Sequence, residues 1–432
     1  MKKVLIITYY WPPAGGSAVY RWLKFSKYLR DFGWEPIIYT AENGEYSELD
    51  PANERDIPTG LTILKQPIWE PYQLYKRFIG QKKTEKVNVG FLTEKKKPAM
   101  AERISVWIRG NFFIPDARCF WIKPSVIYLC KWLKENPVDA IISSGPPHTM
   151  HMIAMELQKR LNLPWIADFR DPWTKIDFYN DLYLSGFADR KHHRLEQNVV
   201  LNADCVITVG NQMKDEFKAL GAKRVAVITN GFDTADKVEG QIDMDHKFTL
   251  SHFGTVNKAR NPDILWQVLR ELVSEDTDFA GNLEIKFVGR LDQLVGDSIT
   301  KYQLGNYITK IDFLPHMDVI RMQRQSQVLL LLINHTHNAG GILTGKFFEY
   351  LAAERPILAI GPTTGDVADI LSESDAGSIV DFSDFDALKN LIINYYTQYK
   401  NSQLSVNTTE IQRFSRYELT RSLSEILDSL QK

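Results

Sequence analysis

Cysteine is scarce. The three present, Cys119, Cys130 and Cys205, have neither metal-ligand spacing nor an even disulfide framework, which excludes a cystine-stapled secreted scaffold and predicts a reducing interior. Long apolar runs are missing as well. No segment approaches the roughly 20 apolar residues that cross a bilayer, so any membrane contact would be peripheral. The opening MKKVLIITYYWPP sets a basic pair before an apolar run too short for a signal peptide, and it reads as the first strand of a cytoplasmic protein. The turn that follows lacks the G-x-G-x-x-G of a dinucleotide site. Net charge is close to absent, at −1, and no recognition motif points to nucleic acid as the partner.

What is present is enough material for two cores. A chain of 432 residues exceeds one ordinary domain, for which about 100 to 200 residues is the prior. Its 44% hydrophobic and 24% charged residues match a globular protein. In the first half the apolar runs VLIITY, PIIYT, LTILK, DAIISSG, PWIADF and DCVITV alternate with helical patterns, the first over Ala18 to Phe32. VAVITNGFD closes the series, and the polar stretch TADKVEGQIDMDHK reads as the linker. The second half repeats the alternation with FTLSHFG, LEIKFVG, ITKIDFL, VLLLLIN and PILAIG, and with helices at Asp263–Ser274, Asp318–Gln325 and Val367–Glu373.

This α/β pattern predicts two doubly wound parallel sheets, one over 1–232 and one over 233–414, facing a central cleft at their carboxyl ends. A last helix at 415–430 would pack back on the first domain. One insertion, 76–123, breaks the pattern: it carries twelve Lys or Arg against four Asp or Glu, so it is +8 while the rest of the chain is −9. Its aromatic residues Trp107, Phe112, Phe113, Phe120 and Trp121 make it either a charged loop before a core helix or an amphipathic element for an anionic membrane surface.

Five short motifs could carry chemistry. Gly15 and Gly16 in YYWPPAGGSAVYR stand at a strand-to-helix turn, where backbone approaches an anion closely, or where a helix simply packs tightly on a strand. His148 in SSGPPHTMHM lies after a strand, placed to hydrogen-bond a sugar hydroxyl or to serve as an ordinary loop residue. Asp168, Arg170 and Asp171 in WIADFRDPW form either a fixed ion pair or a set of hydroxyl acceptors. Lys258 and Arg260 in SHFGTVNKARNPD leave a strand at Gly254 and would neutralise a diphosphate. The strongest is GGILTGKFFEYLAAERPILAIG: Gly340 and Gly341, the backbone of Ile342 and Leu343, and Lys346 make an anion cradle, with Glu349 placed to accept from a ribose diol.

Together, with VITNGFD between them, these motifs resemble in order and spacing the retaining glycosyltransferases of family 4, whose GT-B fold is a pair of Rossmann-like domains. The resemblance implies transfer of a sugar from a nucleotide sugar with retention, without a metal or other cofactor. It places Gly15 and Gly16 near donor phosphates, His148 at the transferred sugar, Arg260 at the family's diphosphate Lys, and Glu349 at the ribose. His148, Arg260 and Lys346 would be the catalytic groups, the last two stabilising charge on the leaving group; Asp168, Arg170 and Asp171 would meet sugar or acceptor. Two departures stand out: Gly341 replaces the family's upstream Glu, and Thr255 its phosphate Arg. A lipid-linked or polysaccharide precursor is the expected acceptor if 76–123 meets the inner face of a membrane. Two other readings share the architecture, a nucleotide-sugar 2-epimerase with His148 and Asp168 as acid and base, and a non-catalytic nucleotide-sugar-binding protein at a membrane.

Overall fold

The protein is described from a computed structural model over residues 1–46, 48–71, 100–236, 238, 240, 242–312 and 314–430. It divides into two compact units, Met1–Thr229 with Arg416–Lys432, and Asn230–Ser415. The division falls a few residues before the polar stretch read as a linker.

In the first unit seven strands form one sheet: β1 (Lys2–Ile7), β2 (Trp34–Ala41), β3 (Thr62–Gln66), β4 (Ala140–Gly145), β5 (Trp165–Phe169), β6 (Cys205–Thr208) and β7 (Val225–Val227). All neighbours pair in parallel, in the order β3-β2-β1-β4-β5-β6-β7. The central strands are buried on both faces, which is why they read as continuous apolar runs rather than alternating ones. On one face the helix Ser17–Tyr28 sets Val19, Trp22 and Leu23 against Val4, Ile6 and Ile207. The helix Arg416–Ser429 joins the same core through Leu419, Leu423, Ile426 and Leu427, a spacing that gathers one apolar stripe. The helices Ile122–Glu135 and Thr149–Leu161 cover the other face with Leu129, Ile153 and Leu157.

The second unit holds β8 (Phe248–Phe253), β9 (Leu283–Val288), β10 (Ile308–Ile311), β11 (Val328–Leu332), β12 (Ile357–Ile360) and β13 (Gly377–Val380). They too are parallel, ordered β10-β9-β8-β11-β12-β13. In both sheets the chain reverses its direction of winding beside the first strand, between β1 and β4 and between β8 and β11. Crevices at the carboxyl ends of such switch points are where open α/β sheets bind ligands.

Local chemistry sets where the elements end. The first helix stops being α-helical at Tyr28, tightens into a 3₁₀ turn over Leu29–Phe32, and is terminated by Gly33 at φ 81°. Of the segment 76–123, the Lys-rich part through Lys97 lies outside the described residues. The remainder forms the helix Met100–Phe112, a loop and the 3₁₀ turn Cys119–Trp121. Among the described residues no helix is long and apolar enough to cross a membrane.

Candidate active site

At the first unit's switch point the acidic group is fully enclosed. Asp168, the fourth residue of β5, is buried and accepts from Arg21 Nη2 at 2.8 Å, from Ser144 Oγ at 2.8 Å and from Trp22 Nε1 at 3.1 Å. Arg21 in turn donates to the carbonyls of Ile228 and Thr229 at 2.9 Å. Both carboxylate oxygens are thus engaged, and the expectation of a sugar contact gives way to the fixed ion pair, because a saturated buried carboxylate has no lone pair facing a ligand.

Arg170 is likewise structural in its contacts. Its Nη1 donates to Ala18 O at 3.2 Å, its Nη2 to Pro146 O, and its guanidinium lies 5.6 Å from the Tyr10 ring, so it ties the loop after β1 to the loop after β4. Its Nε is buried without a partner among the described residues. Asp171, next in the chain, is exposed.

His148 caps the helix Thr149–Leu161 and its ring stacks on Trp173 at 4.3 Å with the planes parallel. It is buried, and burial first, then His151, His192 and Arg170, hold its pKa well below the usual imidazole range, so it is neutral. Asp116 supplies the side-chain cap that the helix lacks in its own sequence: it accepts from Thr149 N and Thr149 Oγ1, each at 2.8 Å. That residue comes from the segment 76–123, whose Arg118 pairs with Glu70 at 2.8 Å in the interior and whose Trp121 stacks on Tyr39 at 5.0 Å. Arg118 and Trp121 therefore belong to the core, not to a membrane-facing surface.

The glycine pair after β1 meets two obstacles to the expected phosphate contact. Gly15 N already donates to Glu48 O at 2.9 Å. A Cβ on Gly16, which precedes the first helix at φ 82°, would sit 3.4 Å from Glu48 Oε2, so a carboxylate stands where an anion was expected.

In the second unit the corresponding crevice is cationic. Gly254 ends β8 at φ 105°, and a Cβ there would lie 2.8 Å from Lys346 Nζ; only glycine lets the amine lie against the strand end. Lys346 Nζ donates to His252 Nε2 at 3.2 Å, and His252 Nδ1 donates to Leu330 O at 2.9 Å, which leaves Nε2 as a neutral lone pair. Burial first, and Arg260 next, drive the Lys346 pKa well below the usual amine range, with Glu349 opposing. Arg260 reaches across the switch point: Nε donates to Asn334 Oδ1 at 2.6 Å and Nη1 to Thr255 O at 3.2 Å, and His335 N donates to Ala259 O at 2.8 Å. Lys258, in the same 3₁₀ turn, is exposed.

Gly340 and Gly341 lie in the 3₁₀ turn Ala339–Gly341, and Thr344 precedes the helix Gly345–Ala353 with its hydroxyl buried and unpartnered among the described residues. The Leu343 side chain is core, so only its backbone is offered to a ligand; Ile342 is half-buried. Glu349 is half-buried and accepts from Gln323 Nε2 at 3.2 Å. Three shaping residues were not foreseen. Tyr350 accepts from Phe253 N at 2.9 Å and fixes the end of β8, Asn334 orients Arg260, and Gly365 at φ 113° lets its loop approach Gly340 O, 2.5 Å from where its Cβ would be. Among the described residues no three His, Cys, Asp or Glu side chains group as a metal site.

Comparison with known proteins agrees with this geometry. Residues 83–236 match the model of Glycosyltransferase Family 4. Sucrose-phosphate synthase from Thermosynechococcus elongatus superposes with a TM-score of 0.61 at 13% identity, covering 100% of this chain and 99% of that one. WaaG, a glycosyltransferase involved in lipopolysaccharide biosynthesis, gives 0.55 at 12% identity over 98% and 99%. UDP-GlcNAc 2-epimerase from Methanocaldococcus jannaschii gives 0.51 at 11% identity over 99% of each chain. No curated protein matches. The chain has the GT-B fold, and within it residues 83–236 are similar to Glycosyltransferase Family 4.

Proposed function

We propose that the protein transfers a sugar from a nucleotide sugar to a glycan or lipid-linked acceptor, with retention at the anomeric carbon. The observation that carries this reading is the electrostatics of the second unit's switch point. There the hydrogen-bond partner of Lys346 is the lone pair of a neutral imidazole rather than a carboxylate, and Arg260 adds a second cation nearby. A buried amine whose protonated form is disfavoured by desolvation and a neighbouring guanidinium is one that a diphosphate would protonate and pair with. Lys346, Arg260 and the backbone of Gly340 to Leu343 would hold the leaving diphosphate, Lys258 would add long-range attraction, and Glu349, which accepts from Gln323, would also accept from the ribose. His148 would meet the transferred sugar. No side chain need act as a nucleophile: the leaving oxygen takes the acceptor's proton on the face of attack, while the protein supplies position and charge. No metal is required by this scheme.

The 2-epimerase reading has a fold neighbour in its favour. Against it, Asp168 is saturated by Arg21, Trp22 and Ser144, so it cannot serve as the acid-base partner of His148. Incubation of UDP-GlcNAc without acceptor separates the two, since the epimerase reading requires an isomer and the transferase reading requires none.

Peripheral membrane contact fits the first unit's exposed aromatics. Phe112 and Phe187 are 68% and 70% exposed, Trp107 packs edge-on to Phe112 at 5.7 Å, and Arg103 lies 5.3 Å from the Tyr183 ring. Flotation with anionic vesicles that is unchanged in Phe112→Glu with Phe187→Glu would refute this part. The transferase reading itself is tested by calorimetry of UDP-, GDP-, ADP- and dTDP-sugars on wild type and Glu349→Ala, in which one donor class binds and the variant weakens it.

A further inference from the structure

Between the end of β4 and the first turn of the next helix, two imidazoles crowd one glycine. A Cβ on Gly145 would lie 2.5 Å from His151 Nε2 and 3.1 Å from His148 Nδ1. Both nitrogens are buried, and neither has a hydrogen-bond partner among the described residues. Only a residue without a Cβ lets both rings come this close to the strand end.

The far side of His151 fixes which of its nitrogens carries the proton. Its Nδ1 is 2.8 Å from Ser143 Oγ, and Trp165 Nε1 donates to that same oxygen at 2.8 Å. An indole N–H can only donate, so the serine oxygen is an acceptor there and its own hydrogen is available for His151 Nδ1. The reverse assignment would strand a buried hydroxyl hydrogen. Burial holds the His151 pKa at about 3, so the ring is neutral. A neutral ring that accepts at Nδ1 carries its proton on Nε2, the atom nearest to where a Gly145 Cβ would be.

We propose that His151 is a positioning residue that sets the tautomer of His148. The chain Trp165–Ser143–His151 leaves an N–H on His151 Nε2; that atom and His148 Nδ1 are not hydrogen-bonded to each other, and one water that accepts from His151 Nε2 and donates to His148 Nδ1 would satisfy both and leave His148 protonated on Nε2. The stack on Trp173 fixes the plane in which that Nε2–H is held. Resting on the reading of His148 as the sugar contact, this makes it a hydrogen-bond donor to a sugar oxygen and not a proton acceptor.

The test is a long-range proton–nitrogen correlation spectrum of the full chain carrying ¹⁵N-histidine, without any donor, with the His148 signals assigned from their loss in His148→Ala. Protonated and lone-pair ring nitrogens resonate far apart, and the expected wild-type spectrum shows His148 protonated on Nε2 with a lone pair on Nδ1. His151→Phe keeps an aromatic ring where His151 now stacks on Phe169 at 4.3 Å but removes the N–H. It should move His148 to mixed or Nδ1-protonated form, and His151→Gln, whose amide donates, should restore the wild-type pattern. A wild-type His148 protonated on Nδ1 would overturn the proposal, and that spectrum requires no variant to fold; so would an unchanged tautomer in a folded His151→Phe protein. Loss of turnover in His148→Ala tests the transferase reading separately, so failure of one is distinguishable from failure of the other.

Discussion

The two units wind their sheets the same way around the same kind of switch point, yet they treat charge there in opposite ways. In the first, Asp168 is neutralised from within by Arg21, Trp22 and Ser144, and the charge goes into holding β5, β4 and the first helix together. In the second, Lys346 faces a neutral imidazole and sits beside Arg260, so burial and a like charge disfavour its protonated form. Equal topology thus leads to an ion-paired centre in one unit and, on the proposed reading, a binding centre in the other. The difference lies in whether, among the described residues, a carboxylate is hydrogen-bonded to the buried basic group.

The comparison breaks most visibly at Asp168. Asp168→Ala strands the buried Arg21 guanidinium and should lower stability by about 3–5 kcal/mol in chemical denaturation; a loss under about 1 kcal/mol would mean that the pair is not the unit's internal clamp. Lys346→Ala should act the other way, weakening donor binding by about ten- to a hundredfold, as expected for one charge-assisted hydrogen bond of about 1.5–3 kcal/mol, without lowering the thermal midpoint. Gly365→Ala adds a Cβ 2.5 Å from Gly340 O at a φ of 113°, and overpacking of this kind costs about 1–3 kcal/mol. Its signature would be a lower midpoint together with weaker donor binding, since the same loop shapes the glycine turn.

The smallest effect is one of pH. Burial and Arg260 lower the Lys346 pKa in the folded state, whereas in the unfolded chain the amine keeps its proton up to about pH 10.4. Between those two values the unfolded state binds more protons, so stability attributable to this group rises with pH. Lys346→Met should flatten that slope, and an unchanged slope would show that the amine is ordinary in the folded protein.

Much of this was legible in the sequence because parallel strands buried on both faces stand out as apolar runs: β1, β4, β5, β8, β11 and β12 all fall within runs that periodicity picks out. β13 escaped, being four residues that begin with Gly377 and are only partly buried, and the helix Phe385–Lys400 behind it was not foreseen either. The proposed cradle at Gly340 to Glu349 can be read from the sequence because glycines, a lysine and a glutamate lie close together in one segment. What sequence could not show was how distant residues pair. WIADFRDPW left open whether Asp168 was an ion pair or a ligand group, since its partner Arg21 lies 147 residues away. Nor did the aromatic run after Arg109 reveal that Asp116 caps a helix 33 residues further on. Glu48 over the Gly15 and Gly16 turn is a third such case, a contact made by a loop rather than by a motif.

The most direct test of the account is isothermal calorimetry of nucleotide-sugar donors against wild type and Lys346→Ala at fixed pH. The account predicts that one donor class binds the wild type with net proton uptake, seen as a heat that varies with the buffer's ionisation enthalpy, and that both the binding and the uptake fall in the variant. Tight donor binding that Lys346→Ala leaves unchanged would contradict it, because the second unit's cation would then not be the group that waits for the diphosphate.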